Sequence, residues 1–232
     1  MIPLSDDAPR FSTPFVTYFI IALNTLIFLF ELSVGAQGQR ALNSLINQFG
    51  VVPIHFERAL TGASTPSLVG LFLPILTAMF LHGSWPHVIV NMWALWIFGD
   101  NVEDYLGHLS YLLFYLACGV AAAVAHIILN AGSNVPTVGA SGAIAGVMGA
   151  YFVLYPRARV LVWFVFLFRL PAWLVLGLWF VLQFESGTAT SIAETSQSGG
   201  IAFWAHVGGF VAGVVLIKVL PERPRRYRYA AW

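Results

Sequence analysis

The stretch Gly139-Ala140-Ser141-Gly142-Ala143-Ile144 joins a polar loop at residues 130–138 to an apolar run of small residues that ends at Tyr155. Ser141 is therefore expected at the N-terminus of a helix, where backbone amides have no partner within the helix. The flanking glycines would let a carbonyl group come close. This placement suits a nucleophilic hydroxyl. A serine that opens a helix is also typical of an N-cap, and such glycines are also typical of close helix packing.

The rest of the chain has the composition of a polytopic membrane protein. Of its 232 residues, 59% are hydrophobic and 9% are charged, and the mean hydropathy is +0.80. Soluble domains carry about 25% charged residues. The formal net charge of +1 offers no electrostatic support for nucleic-acid binding. The single cysteine, Cys118, excludes an internal disulfide and leaves no thiol cluster for a metal. We expect no cofactor and no metal ion.

Six apolar segments are predicted to cross the membrane, since about 20 apolar residues span a bilayer. They cover residues 14–32, 86–100, 109–129, 141–155, 171–184 and 201–220. The sequence thus divides into a leader at residues 1–13, a membrane domain at 14–220 and a basic tail at 221–232. The leader is expected to be poorly ordered, because terminal residues usually are.

The sequence also predicts the structure of the connections between these segments. The long first outer loop, residues 33–85, contains apolar residues at helical spacing and a short apolar run at 68–81 that is expected to dip into the membrane. Residues 160–170 are interpreted as a short membrane-associated segment before the fifth span. Residues 185–200, rich in Ser, Thr and Gly, are predicted to form a loop. The acidic residues Asp100, Glu103 and Asp104 are expected to mark an aqueous end of the second span.

Basic residues predict the orientation, because loops rich in Lys and Arg stay in the cytoplasm. Arg157 and Arg159 follow the fourth span, and Lys218 and four arginines lie at the end of the sixth span and in the tail. An even number of spans puts both clusters on one side. Both termini are then cytoplasmic, and a site at the start of the second, fourth or sixth span opens to the opposite side. We expect an integral protein of a bacterial inner membrane.

The same alternation of direction brings four polar residues to one depth. The second, fourth and sixth spans all start on the non-cytoplasmic side, and they carry His87 with Asn91, Ser141, and His206 near their starts. Polar groups in apolar helices cost free energy unless they are paired or hydrated. Ser141 supplies a hydroxyl nucleophile and His206 a base, and the Ser141 amide with Asn91 or His87 could donate to an oxyanion. No carboxylate is predicted at this depth, so we expect a Ser-His dyad.

These motifs resemble those of the rhomboid family of intramembrane serine proteases. The resemblance lies in Gly139-Ala140-Ser141-Gly142, in Ala205-His206-Val207-Gly208-Gly209 continuing to Gly213, and in the spacing of His82, His87 and Asn91. It extends over about residues 14–220. It implies an all-α polytopic membrane protein, a six-transmembrane-helix bundle around a water-filled cavity that opens outward.

The resemblance also implies roles. Ser141 would be the nucleophile, His206 the general base, and His87 and Asn91 part of the oxyanion region. Gly209 and Gly213 would let the sixth span pack closely on the fourth. The substrates would be transmembrane proteins within the lipid bilayer, cleaved at small residues where the helix is weak.

Three positions depart from the family pattern, and they concern loop anchoring and histidine stacking. Leu73-Pro74 stand where many relatives have Trp-Arg, Glu103-Asp104-Tyr105 replace a Glu-x-Arg pattern, and Ala145 replaces an aromatic residue. The sequence assigns no role to His82 or His126.

Two other functions are compatible with parts of the sequence. A catalytically weak or silent relative would bind membrane clients, although the presence of both Ser141 and His206 argues against it. A small-molecule transporter predicts inverted repeats, and we find no internal repeat in the chain.

Overall fold

The computed structural model describes residues 2–192 and 202–223 of the chain. The helices in these residues are α1 (Phe15–Gly35), α2 (Gln39–Phe49), α3 (Pro53–Leu60), α4 (Leu68–Thr77), α5 (Trp85–Leu106), α6 (His108–Leu129), α7 (Ser141–Leu154), α8 (Ala172–Ile192) and α9 (Phe203–Val219). A 3₁₀ turn at Ala78–Phe80 follows α4. The strands are β1 (Ile2–Asp6), β2 (Arg159–Phe164) and β3 (Phe166–Pro171).

The length and apolar composition of the helices indicate a polytopic membrane fold. In the part of the chain that the structure describes, α1, α6 and the Ala172–Ala189 part of α8 are each long and apolar enough to cross a membrane. The α4 segment and α5 make a fourth span if they are counted together, and they meet at 78°. The helices α7 and α9 are apolar but shorter, with 14 and 17 residues. The predicted helical membrane fold is confirmed, and these elements are compatible with six segments.

The outer helices present large apolar side chains on the surface of the bundle. Phe19 and Leu26 of α1 and Leu113 and Ile128 of α6 are all exposed. Such a surface is costly in water, and a lipid environment removes that cost. The protein is therefore an integral membrane protein.

The short helix α7 lies at the centre of the bundle. Every residue from Gly142 to Tyr151 is buried, and α7 packs most extensively against α9. A methyl group on Gly209 would overlap the carbonyl oxygen of Gly142, and one on Gly213 would overlap that of Gly146. Glycine at these positions therefore lets the two backbones touch.

The leader and the region before α8 differ from their predicted structures. The expectation of a poorly ordered leader is wrong, because Ile2–Asp6 forms β1 and pairs antiparallel with β2. Residues 160–170 form most of a hairpin in which β2 pairs with β3. Val160 and Val162 are buried while Trp163 is exposed, the alternation of a half-buried strand. The strand lies within a block of apolar residues, so its alternation of buried and exposed side chains does not show in the hydropathy of the sequence.

Two predicted segments lie partly beyond the described residues. The predicted loop at 185–200 is wrong for its first half, because α8 continues to Ile192. Residues 193–200 lie outside the described residues, and so does most of the predicted tail, residues 224–232.

The acidic end of α5 is buried in protein, which corrects the expectation of an aqueous end. The Glu103 carboxylate accepts hydrogen bonds from the backbone N–H groups of Val16 and Thr17, at 2.9 and 2.7 Å. The first amides of α1 have no side-chain cap of their own, so Glu103 satisfies groups that a helix N-terminus leaves free. Asp104 accepts hydrogen bonds from the Phe11 backbone and the Ser12 hydroxyl. These contacts fasten the leader to the bundle.

Candidate active site

Ser141 is the first residue of α7, and the chain reaches it through a left-handed turn. Gly139 has a φ of 134°, a value that residues with a side chain rarely adopt. Its N–H group donates to the carbonyl oxygen of Ala78 at 2.8 Å. A Cβ atom on Gly139 would lie 2.7 Å from two ring atoms of His87. Glycine thus permits both the turn and the approach of His87 to the start of α7.

The structure brings Ser141 and His206 into contact. The Nε2 atom of His206 lies 2.8 Å from the Oγ atom of Ser141, and the His206 side chain is largely shielded from the surface. His206 lies in the first turn of α9, directly above the contact between Gly142 and Gly209. The close approach of the two helices therefore sets the distance between the hydroxyl and the imidazole.

A third group, Gln183 of α8, contacts the other ring nitrogen of His206. Its Oε1 atom lies 2.7 Å from His206 Nδ1. With the amide oxygen of Gln183 facing the ring, Nδ1 is the donor of this hydrogen bond, and Nε2 is left as the acceptor for the Ser141 hydroxyl. The ring of Trp179, also on α8, lies 5.8 Å from the His206 ring between centroids.

Sequence reasoning missed Gln183 because it searched for a carboxylate. The available signal was an amide side chain within an apolar span, which is costly in lipid unless it is paired. The Ser141–His206 pair therefore has a neutral neighbour, Gln183, at the second ring nitrogen of His206.

His87 lies on α5 beside the start of α7, and Asn91 lies one helical turn further along α5. Asn91 is 6% exposed, and no described residue accepts a hydrogen bond from its Nδ2 atom. The ring of His87 packs edge-on against the ring of His82, with centroids 5.0 Å apart. A buried donor without an acceptor is uncommon in folded proteins. Asn91 therefore offers a free N–H group on the helix that also places His87 against Gly139.

The buried His82 is held through its backbone. Its N–H group donates to both carboxylate oxygens of Glu31 on α1, at 3.0 and 3.1 Å. Glu31 is only 2% exposed. This contact fastens the connection between α4 and α5 to α1. Sequence reasoning assigned no role to either residue.

His126 of α6 holds the loop that leads to Ser141. Its Nε2 atom lies 2.7 Å from the Thr137 hydroxyl, and its Nδ1 atom lies 3.2 Å from the amide nitrogen of Asn130. His126, Thr137 and Ser141 also line a small cavity of about 40 Å³, together with apolar residues such as Met79 and Ala122. His126 thus has a structural role next to an apolar pocket.

The described residues contain no group of three or more His, Cys, Asp or Glu side chains arranged to hold a metal ion. The site instead combines a hydroxyl, an imidazole and amide groups. Such groups can transfer a proton from Ser141 to His206 and can donate hydrogen bonds to a negatively charged oxygen.

Fold and site together define a polytopic helical membrane protein in which a serine at the start of a short central helix contacts a buried histidine. The model of the Rhomboid domain matches residues 70–223, more than half of the chain. The chain therefore belongs to the rhomboid family.

Curated relatives from bacteria and mitochondria are similar to this chain. It is 29% identical over 203 residues to Rhomboid protease GluP of Bacillus subtilis. The matched segment covers 86% of this chain and 34% of GluP. It is 29% identical over 167 residues to the mitochondrial Rhomboid protein 1 of Saccharomyces cerevisiae, and the match covers 68% of this chain and 46% of that protein. The mitochondrial Presenilin-associated rhomboid-like protein of Rattus norvegicus is 29% identical to this chain over 184 residues, and the match covers 75% of this chain and 45% of that protein. The chain spans less than half the length of each of these three relatives.

Proposed function

We propose that this protein is an intramembrane serine endopeptidase that hydrolyses a peptide bond in or near a transmembrane segment of its substrate. The observation that carries the proposal is the 2.8 Å contact between Ser141 Oγ and His206 Nε2. A nucleophile and its base must lie within hydrogen-bond reach, and these two atoms do. Membership of the rhomboid family supports the same reaction.

The first half of the reaction forms an acyl-enzyme. Ser141 Oγ attacks the carbonyl carbon of the substrate while its proton moves to His206 Nε2. The C–N bond then breaks, and His206 returns the proton to the leaving amine. In the second half, water loses a proton to His206 and attacks the ester carbonyl carbon. The bond between that carbon and Ser141 Oγ then breaks, His206 returns the proton to Oγ, and the carboxylic acid product leaves.

The negative charge on the substrate oxygen needs hydrogen-bond donors. Asn91 Nδ2 is buried and has no acceptor among the described residues. The Ser141 N–H group is at the N-terminus of α7, where intrahelical acceptors are absent. We assign these two groups, together with His87, to stabilisation of the oxyanion. A preformed N–H donor needs no reorganisation when charge develops on the substrate oxygen.

The substrate would present a small side chain next to the cleaved bond. The cavity beside Ser141 is small, with a volume of about 40 Å³. Its lining is mostly apolar, with His126 and Thr137 as the polar exceptions near Ser141. A segment with small residues that unwinds readily fits this space better than a bulky one.

We also propose that residues 14–220 form the membrane domain and that the leader and the tail lie in the cytoplasm of a bacterium. The basic residues after α7 and near the end of α9 support this orientation. GluP of Bacillus subtilis covers a larger share of this chain than the two mitochondrial relatives described above. A reporter active only outside the cytoplasm should be silent after Trp232 and active when inserted at residues 193–200. The reverse result would invert the topology.

The decisive experiment combines cleavage with covalent labelling. Purified protein is incubated with a model single-span substrate, and a fluorophosphonate probe is used to label the nucleophile. We expect Ser141→Ala to abolish both signals while the protein stays folded. Ser110→Ala, an exposed serine on α6, is the matched control and should retain both. A wild-type protein that neither cleaves nor labels would instead support a silent relative that binds membrane clients.

A further inference from the structure

We propose that Gln183 is a positioning residue for catalysis, and that α8 holds His206 in its reactive orientation through Gln183 and Trp179. The inference deepens the proposed protease function and rests on it. Gln183 does not touch the reacting atoms. It acts on His206, whose Nδ1 atom lies 2.7 Å from Gln183 Oε1.

The direction of this hydrogen bond selects the tautomer of His206. With the amide oxygen toward the ring, Nδ1 donates its proton and Nε2 keeps the lone pair that must receive the Ser141 proton. If the amide nitrogen of Gln183 faced the ring instead, the proton would sit on Nε2, and the imidazole could not act as a base toward Ser141. The amide oxygen therefore does what an orienting carboxylate does in a triad.

Gln183 also interacts more strongly with the charged histidine than with the neutral one. When His206 takes the Ser141 proton, the Nδ1–H group becomes part of an imidazolium. A hydrogen bond from a charged donor is roughly twice as strong as one between neutral groups. Glutamine cannot take the proton itself, so the imidazolium keeps both protons until Nε2 passes one to the leaving amine. The interaction thus favours the transition state over the resting state.

Trp179 restricts the plane of the same imidazole. It lies four residues before Gln183, so both side chains leave the same face of α8. Its ring lies 5.8 Å from the ring of His206, at an angle of 38°. Ala145 on α7 has no aromatic ring, and the ring that lies next to His206 is that of Trp179 on α8. The orientation of the base therefore depends on the position of α8, a helix other than the two that carry Ser141 and His206.

The first test compares three variants in the full-length protein. Gln183→Leu removes the acceptor with little change in size, and Gln183→Glu keeps the acceptor and adds a charge. Val181→Ala, at an exposed position of α8, is the matched control. We expect Gln183→Leu to lower kcat about 10-fold, the effect of losing about one hydrogen bond, with KM within twofold of wild type. Val181→Ala should change neither constant.

The pH profile separates positioning from folding. The other titratable groups near His206 are His87 on α5 and His126 on α6, and no variant here alters either. Gln183→Glu should recover kcat and move the acidic limb of the kcat profile to higher pH, because a carboxylate favours the protonated imidazole. If Gln183→Leu keeps kcat within twofold, the proposal is wrong. It is also wrong if both variants lose activity together with thermal stability.

A second readout does not need activity. ¹⁵N spectra of the histidine side chains, with His206 assigned by its loss in His206→Ala, report which ring nitrogen carries the proton. Wild type should show protonated Nδ1, and Gln183→Leu should show a mixture of tautomers. An unchanged tautomer in Gln183→Leu would overturn the positioning role. A wild-type protein without protease activity would overturn the proposed function, and the spectra would still decide the role of Gln183.

Discussion

Ser141 and His206 are 65 positions apart in the chain, and their side chains lie 2.8 Å apart because α7 and α9 touch backbone to backbone at Gly142 and Gly209. No side chain stands between the two helices at this point, since a methyl group on Gly209 would overlap the Gly142 carbonyl oxygen. Close-packed backbones hold reacting groups more rigidly than long side chains can. The distance between the two side chains is therefore tied to helix packing one turn below them.

Gly209→Ala should damage both folding and catalysis, because the added methyl group must push α9 away from α7. We expect a loss of about 1–3 kcal/mol in the free energy of unfolding, the usual cost of overpacking, and a larger proportional loss of cleavage. Gly177→Ala on α8 is the control, since its new Cβ would meet Phe152 at an ordinary 3.8 Å. Thermal unfolding and cleavage of a single-span substrate measure both effects. Equal stability for the two variants would contradict the packing argument.

Asn91→Ala and His206→Ala should differ in severity. In the proposed mechanism Asn91 only donates a hydrogen bond to the intermediate, so its loss should lower kcat by about 10²–10³, as for one oxyanion donor. His206→Ala should cost more, because Ser141 then stays a protonated and weak nucleophile. Labelling of Ser141 by a small phosphonate should persist in Asn91→Ala and disappear in His206→Ala. If His87→Ala abolished labelling while His206→Ala preserved it, the two histidines would have to exchange roles.

Glu31 should matter for activity although it lies on α1, away from the reacting atoms. Glu31→Ala leaves the buried His82 N–H group without an acceptor, which costs about 1–3 kcal/mol. It should also loosen His82 against His87 and reduce cleavage. Glu31→Gln keeps an acceptor oxygen and should retain activity within about threefold. Thermal unfolding and cleavage rates decide the matter. A Glu31→Gln variant as damaged as Glu31→Ala would show that the charge, rather than the acceptor, is needed.

Stability should depend on the ionisation of Asp6 in β1. Burial raises the pKa of the Asp6 carboxyl above its ordinary value of 3.8, although hydrogen bonds from the Tyr151 hydroxyl and the Ala8 backbone act in the opposite direction. The folded protein therefore favours the protonated carboxyl. The corresponding stability is complete below pH 3.8 and is lost as the pH rises through the raised pKa.

Asp6→Asn keeps an acceptor for Tyr151 and removes the charge. It should raise the thermal unfolding temperature at pH 7.5, by an amount that shrinks toward pH 4. Asp6→Ala removes the acceptor as well and should lower the unfolding temperature at both pH values. A lower unfolding temperature for Asp6→Asn at pH 7.5 would show that the carboxylate form stabilises the fold.

Much of the architecture could be predicted from the chain itself. Hydropathy locates the apolar helices, because lipid requires every backbone polar group to be paired within a segment. The alternation of span direction puts Ser141, His206 and His87 at one side, and the structure brings these three together. The glycines at 209 and 213 follow the spacing of helix packing, so their position on one face can be read without coordinates.

Contacts between distant elements could be decided only by the tertiary structure. The β2 strand needs β1 as a partner more than 150 residues earlier in the chain, and register between strands is not set by local sequence. The Gln183 to His206 contact depends on which face of α8 meets α9. An amide oxygen can accept a hydrogen bond from Nδ1 as well as a carboxylate can, so residue type alone did not identify Gln183 as the partner of His206. Glu31 and Glu103 look like exposed acids in the sequence, and only the packing of α1 against its neighbours shows that each one caps buried backbone amides.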